Sequence, residues 1–331
     1  MTILLCPQKL QREILTPAME LSSRPERSAV EGPAVSAKIH RMFTRRTFVS
    51  MTAASLAARA LPAQELAEQV QASTQFSVMI WTLKKLGTFE ENLDRVAQAG
   101  YHHVELVGEF KTWSDEDYQR ILARMETLKI SVDATSGVQP GFADPSGQEA
   151  FLTALKALIP SAKRLQCKQI ILLSGKVING APAGSQHAAS IEALKRAADI
   201  LSSAGLVAVI EPIDRLENPT IYLDGVSEAF EIASAVGSPN IRVLYDIYHE
   251  QRQFGNLIEK FEKNIDQVGL IHIADVPGRH EPGTGEINYL NIYRKLAELK
   301  YTGTIAMEFY PTGDIVETLR RARDTARSLL S

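Results

Sequence analysis

From Phe76 onward the chain repeats one pattern: a short apolar, β-branched run, then a longer stretch with helical spacing. The strand candidates are 76–83, 103–107, 130–135, 169–174, 207–212, 241–246, 270–274 and 304–309. Helical segments separate them at 89–99, 114–128, 147–165, 185–204, 226–236, 257–263 and 290–299, and 315–330 closes the chain. Gly100 and Gly205 fall just past helices, where a left-handed C-terminal position favours glycine. Eight such units in about 250 residues imply parallel strands closed into a ring. An open, doubly wound sheet would advertise a glycine-rich phosphate loop after its first strand. Here that strand runs into Trp81-Thr82-Leu83-Lys84-Lys85. The expected fold is therefore α/β, a single (β/α)8 TIM barrel over residues 75–331, preceded by an export signal segment.

The segment ahead of the repeat reads differently. Residues 1–41 hold Arg24-Pro25-Glu26-Arg27-Ser28 and Glu31-Gly32-Pro33 with no sustained apolar period, and are read as a disordered or over-extended N-terminus. Residues 42–63 open with Arg45-Arg46, continue through an apolar, alanine-rich run and reach small residues at Ala60 and Ala63. That is the layout of a twin-arginine signal peptide, with translation expected to start at Met42. The expectation is export, to a periplasm, or a cytoplasmic protein where the signal does not operate. No run of eighteen apolar residues exists, so no stable membrane insertion is expected.

Composition narrows the chemistry. A net charge of −3 offers no positive field for nucleic acid. Cys6 and Cys167 form no CxxC pair, so neither a thiolate zinc site nor a structural disulfide is expected. The partner left is a small molecule; a homo-oligomer is compatible with the sequence but not specified by it.

Barrel chemistry gathers where strands end. Those ends carry Glu105, Asp133, Ser174, Glu211, Asp246, His272 and Glu308. Any one acidic residue there would read as a loop cap. Four on consecutive strands, spaced 35, 26 and 36 residues apart, keep pace with the βα unit. Glu211, Asp246, His272 and Glu308 each abut an apolar run, and three converging carboxylates repel unless a cation sits among them. Three carboxylates and an imidazole form a mostly oxygen site suited to Mg²⁺ or Mn²⁺, with Co²⁺ also compatible. Trp81, at the expected end of the first strand, is placed to stack on substrate carbons. Glu105 is placed to hydrogen-bond a substrate or a neighbouring site group. His280 and Glu281 fall in the loop after strand seven, while His102 and His103 begin a strand at the barrel's far end.

At these residues the chain resembles a known family. The stretch His272-Ile273-Ala274-Asp275-Val276-Pro277-Gly278-Arg279-His280-Glu281-Pro282-Gly283-Thr284-Gly285-Glu286-Ile287-Asn288 is similar to the strand-seven loop of the hydroxypyruvate isomerases. Met307-Glu308-Phe309-Tyr310-Pro311-Thr312-Gly313 and Asp246-Ile247-Tyr248-His249-Glu250-Gln251 fit the same family. It lies within the xylose isomerase-like superfamily, which also holds ketose 3-epimerases. The resemblance implies that Glu211 and Glu308 bind the metal and act as the acid/base pair, and that Asp246 is a ligand only. It implies that His249 and Arg279 hold substrate. Two features lean toward the epimerases: the third ligand is His272 where the hydroxypyruvate isomerases carry a glutamine, and Glu217 stands six residues after Glu211, where a glutamate touches substrate.

The expected activity is a metal-dependent isomerisation through an enediolate, hydroxypyruvate to tartronate semialdehyde. A ketose 3-epimerase or other sugar isomerase is the alternative. A non-catalytic exported sugar-binding barrel is a third, which loss of a ligand would favour; all four ligands are present.

Overall fold

The computed structural model describes residues 74–330. The expectations for 1–41 and 42–63, and Cys6, fall outside them. Eight parallel strands close into a barrel in sequence order: β1 (Gln75–Met79), β2 (His103–Leu106), β3 (Ser131–Thr135), β4 (Gln169–Leu173), β5 (Val207–Glu211), β6 (Ile241–Asp246), β7 (Val268–Ile273) and β8 (Thr304–Met307). β1 closes the ring on β8, Phe76 facing Ile305 and Val78 facing Met307. The outer layer is α1 (Phe89–Gln98), α2 (Asp115–Leu128), α3 (Gln148–Arg164), α4 (Ser185–Ala204), α5 (Val226–Val236), α6 (Ile247–Gln253), α7 (Leu257–Asn264), α8 (Tyr289–Glu298) and α9 (Ile315–Leu330).

Local signals explain where these elements start and stop. Thr88 and Ser114 each cap a helix, the side-chain oxygen accepting the amide of Glu91 or Asp117 while the cap's own amide donates to that residue's carboxylate, two complete capping boxes. Gly100 and Gly205 have φ of +83° and +72°, the left-handed positions expected past a helix end. Among the described residues no helix is long and apolar enough to cross a membrane.

Two readings need correction. The first strand ends at Met79, and Ile80–Leu83 forms a 3₁₀ turn, so Trp81 lies past the strand rather than at its end. An uninterrupted apolar run, Ile80-Trp81-Thr82-Leu83, hides that change of direction, because strand and single-turn helix look alike over four residues. Between β6 and α7, the short helix α6 went unread. It spans under two full turns, and its four buried residues, Ile247, Tyr248, His249 and Glu250, are consecutive and half polar, so they show no helical apolar period.

Strand alternation then dictates what fills the barrel. Met79, Ala134, Ile171, Val209, Leu244, Leu270 and Ala306 form an apolar cluster inside the ring, with Trp81 packed against it. Their neighbours along each strand, such as Ala208, Ile210, Val243 and Ile271, belong to the larger core under the helices. With side chains alternating every residue, the position two beyond an interior residue is interior again. Val209 is therefore followed by Glu211, Leu244 by Asp246, Leu270 by His272 and Ala306 by Glu308. The apolar cluster is a floor, and the ionisable quartet stands one layer above it.

Candidate active site and metal centre

The four strand-end groups come together. Glu211, Asp246, His272 and Glu308 each offer a ligand atom, all within 4.8 Å of one another, and all four are buried. His272 Nδ1 lies 2.7 Å from Glu308 Oε2 and 3.8 Å from Glu211 Oε1. Asp246 divides its carboxylate. Oδ1 caps α6, accepting from the amides of Tyr248 at 2.7 Å and His249 at 3.1 Å. Oδ2 is buried and makes no hydrogen bond. His249 Nε2 and Arg279 Nη2 stand off from that oxygen at 3.5 and 3.6 Å. An unsatisfied buried carboxylate oxygen is costly, and this one faces two further carboxylates and an imidazole. These are the residues that could hold a divalent cation.

The electrostatics separate the two glutamates. Burial, reinforced by the charge of Glu308, pushes the Glu211 carboxyl up to about 8, against the pull of His272 and His249. Burial would also raise Glu308, but Arg279 and then His272 outweigh it and hold that carboxyl well below the usual range. Burial raises Asp246. For His272, burial is overcome by the charges of Glu105 and Glu308, which keep the imidazole protonated well above its ordinary value.

Around the quartet stand the residues expected to meet substrate, His249, Arg279 and Glu217 from the resemblance and Trp81 and Glu105 from the strand ends read in the sequence. Arg279 sits in the loop after β7, with φ +56°, and is almost fully buried. Its Nη2 pairs with Glu308 Oε2 at 2.8 Å, and Nη1 donates to both oxygens of Glu217 at 2.7 and 2.9 Å. Its guanidinium lies 4.9 Å from the Tyr248 ring centre and 5.6 Å from that of Trp81. Trp81 Nε1 donates to Glu308 Oε1 at 3.1 Å, and its ring meets Tyr310 edge-on. His249, carried by α6, bonds Asp214 Oδ2 through Nδ1 at 2.6 Å, leaving Nε2 toward Asp246. Burial opposes its protonation, but Asp246 and Asp214 raise it to about 9. Glu217 is exposed at the rim, and Glu105 is fully buried against His272.

Sequence reasoning missed Asp214. It is fully buried, orients His249, pairs with Arg252 at 3.1 Å and accepts the amides of Leu216 and Glu217. An Asp two residues past a strand reads as an ordinary turn former, which it also is. Asp214, Glu217 and His249 could gather round a second ion, but Arg252 and Arg279 already lie against those carboxylates, so the cluster is an ion-pair network. In the loop after β7, Glu281 is buried and bonded to Thr312, and His280 Nδ1 meets the Tyr310 carbonyl. Ser174 Oγ accepts the Leu223 amide. At the barrel's other end His102 and His103 bond Lys129 and Ser131, and the Cys167 thiol is pushed up to about 12 by burial.

Comparison with known proteins places the chain in a family. The family described as the xylose isomerase-like TIM barrel matches residues 93–329. A putative hydroxypyruvate isomerase of Danio rerio is 33% identical over 268 residues, covering 75% of this chain and 94% of that protein. The hydroxypyruvate isomerase of Escherichia coli K12 is 32% identical over 228 residues, covering 67% and 88%. Among solved structures, a D-psicose 3-epimerase from Clostridium cellulolyticum H10 superposes with a TM-score of 0.63 at 17% identity, covering 78% of this chain and 99% of the other, a likeness of fold. The chain belongs to the xylose isomerase-like TIM barrel family and is a homologue of its hydroxypyruvate isomerases.

Proposed function

We propose that this protein is a divalent-metal-dependent isomerase that moves a proton between adjacent carbons of a short hydroxy-carbonyl acid of the hydroxypyruvate type. One observation carries the reading: three buried carboxylates and an imidazole present donor atoms within 4.8 Å, and one of those oxygens, on Asp246, has no hydrogen bond. That donor set suits Mg²⁺ or Mn²⁺, with Co²⁺ also accommodated. Homology to hydroxypyruvate isomerases supports the reaction class.

When bound, the cation would polarise the substrate carbonyl and offset the negative charge that develops as the neighbouring carbon loses its proton. The protein supplies the rest. β5 and β8 lie three strands apart round the ring, so Glu211 and Glu308 approach from different sides. The two carboxylates form the acid/base pair: Glu308, which Arg279 and His272 hold ionised, takes the proton, and the pair returns one to the adjacent carbon. Trp81 Nε1 and Arg279 hold Glu308 in place. His249 and Arg279 offer cationic donors to a substrate carboxylate. A neutral ketose would not use that charge, which favours the acid. The 3-epimerase reading keeps one specific support, the Arg279–Glu217 pair at the rim, which presents hydroxyl-binding groups.

The deciding experiment incubates ion-loaded protein in D₂O with hydroxypyruvate and a panel of ketoses, followed by NMR. Conversion of hydroxypyruvate to its aldehyde isomer, with deuterium at the carbon that gains hydrogen, is expected. Deuterium exchange confined to carbon 3 of a ketose would replace this reading with the epimerase, and no exchange with any substrate would overturn both. We further propose export through the Arg45-Arg46 segment. N-terminal sequencing of secreted protein should give a start near Ala60 or Ala63, and a mature start upstream of Met42 would refute it.

A further inference from the structure

Glu105 is the buried carboxylate that the reaction scheme leaves without a task. It lies on β2 in register with Met79 on one side and Ala134 on the other, both residues of the apolar floor. It is 0% exposed, so it does not line the mouth. Its Oε2 is 2.8 Å from His272 Nε2, and its Oε1 has no hydrogen-bond partner among the described residues. The nearby Asp133 is engaged elsewhere, receiving the Ser77 hydroxyl at 2.7 Å. Glu105 therefore spends its only hydrogen bond on one ring nitrogen of one residue.

That ring has two faces of business. Nδ1 points into the quartet, 2.7 Å from Glu308 and 3.8 Å from Glu211. Nε2 points away, into the floor. A neutral imidazole carries its proton on one nitrogen and a lone pair on the other, and the partner of the first decides which is which. A carboxylate accepts and does not donate, so without an ion Glu105 on Nε2 and Glu308 on Nδ1 each hold a proton on the ring; a cation at Nδ1 would displace the proton there and leave Nε2–H on Glu105. We propose that Glu105 is the positioning residue of this centre: by accepting from His272 Nε2–H it fixes ring and tautomer so that the Nδ1 lone pair faces Glu211, Asp246 and Glu308. The inference rests on the metal-centre reading and deepens it. A carboxylate behind a ligating histidine orients the ring and increases its basicity, and losing one typically weakens metal binding by about 10- to 100-fold.

The test uses the full chain, stripped of ions and titrated with Mn²⁺ by calorimetry. Glu105→Ala should raise the Mn²⁺ dissociation constant by about 10- to 100-fold. Glu105→Gln keeps the shape and an acceptor oxygen and should fall between it and wild type. Independently of any variant at 105, ¹⁵N–¹H correlation spectra of Mg²⁺-saturated wild type should show His272 protonated at Nε2 and bare at Nδ1, with the signal assigned by its loss in His272→Gln. A bare Nε2, or folded Ala and Gln variants that bind Mn²⁺ like wild type, would overturn the role of Glu105 while leaving the centre standing. Wild type that takes up neither ion would overturn the centre itself. If Glu105→Ala does not fold, the wild-type spectra and the Gln variant decide.

Discussion

Glu308 is the most heavily engaged side chain of the site. Trp81, Arg279 and His272 each place a nitrogen within 3.1 Å of its carboxylate. Burial alone would raise that carboxyl, and the neighbouring cations reverse the sign. Its charge is therefore the feature most worth removing. Glu308→Gln should keep the shape and the Trp81 contact, lower kcat by about two to four orders of magnitude and change substrate affinity only a few-fold. Steady-state kinetics beside equilibrium binding check this, and near-wild-type turnover would remove Glu308 from the mechanism. At this scale the quartet was legible in the sequence, because an ionisable residue following an apolar run at each unit's end is a costly pattern without a shared partner. Asp214 and the deep placement of Glu105 were not. Each depends on which side chain it meets across the barrel, and spacing along the chain holds no record of that.

Elements deliver these residues to their places, and the loop after β7 shows how. It carries Arg279 on a left-handed backbone and is tied down by Asp275, which is fully buried. The Asp275 carboxylate accepts the amides of Val276 at 2.9 Å, Gly283 at 2.8 Å and Ile287 at 3.0 Å. Asp275→Ala strands three amides and should cost about 2–4 kcal/mol, a fall in Tm on the order of 10 °C. Because Arg279 loses its support, KM should rise more than kcat falls; thermal melts and kinetics on the same preparation test both halves. The strand–helix order was readable because eight apolar runs of similar length alternate with helical spacing. The first strand's early end and the helix α6 escaped, since each is settled by contacts over one or two turns. A capping Asp246 starts α6, yet the same residue reads first as a strand end and a ligand.

For the whole molecule, the clustered charges make stability depend on pH and on the ion. In the folded, ion-free protein Glu211 holds its proton up to about 8, against 4.5 in an unfolded chain. His249 holds its proton up to about 9, against 6.5. The folded state thus binds more protons than the unfolded state across both windows, so its stability falls as pH rises from about 4.5 to about 9. Glu308 has the opposite sign, but its window lies below its ordinary 4.5. The Tm of stripped protein should drop by on the order of 10 °C between about pH 6 and about pH 9. Glu211→Gln should flatten the lower part of that slope. Mn²⁺ must displace protons to bind, so it should raise Tm more at about pH 8 than at about pH 6. Scanning calorimetry across that range tests all three, and a Tm that climbs with pH in the stripped protein would contradict the assignment.

The apolar floor beneath the quartet has a consequence for what the barrel can accept. Val209, Leu244, Leu270 and Ala306 close the bore two residues below the reactive groups, so the cleft is blind-ended. A blind-ended cleft gauges a molecule from its tip. The reacting atoms and the carboxylate held by His249 and Arg279 must lie at the leading end, while whatever extends past the Glu217 rim is left in open water. In a homologous series of hydroxy-carbonyl acids, lengthening the far end should leave kcat/KM within about tenfold, whereas adding one carbon at the leading end should cost far more.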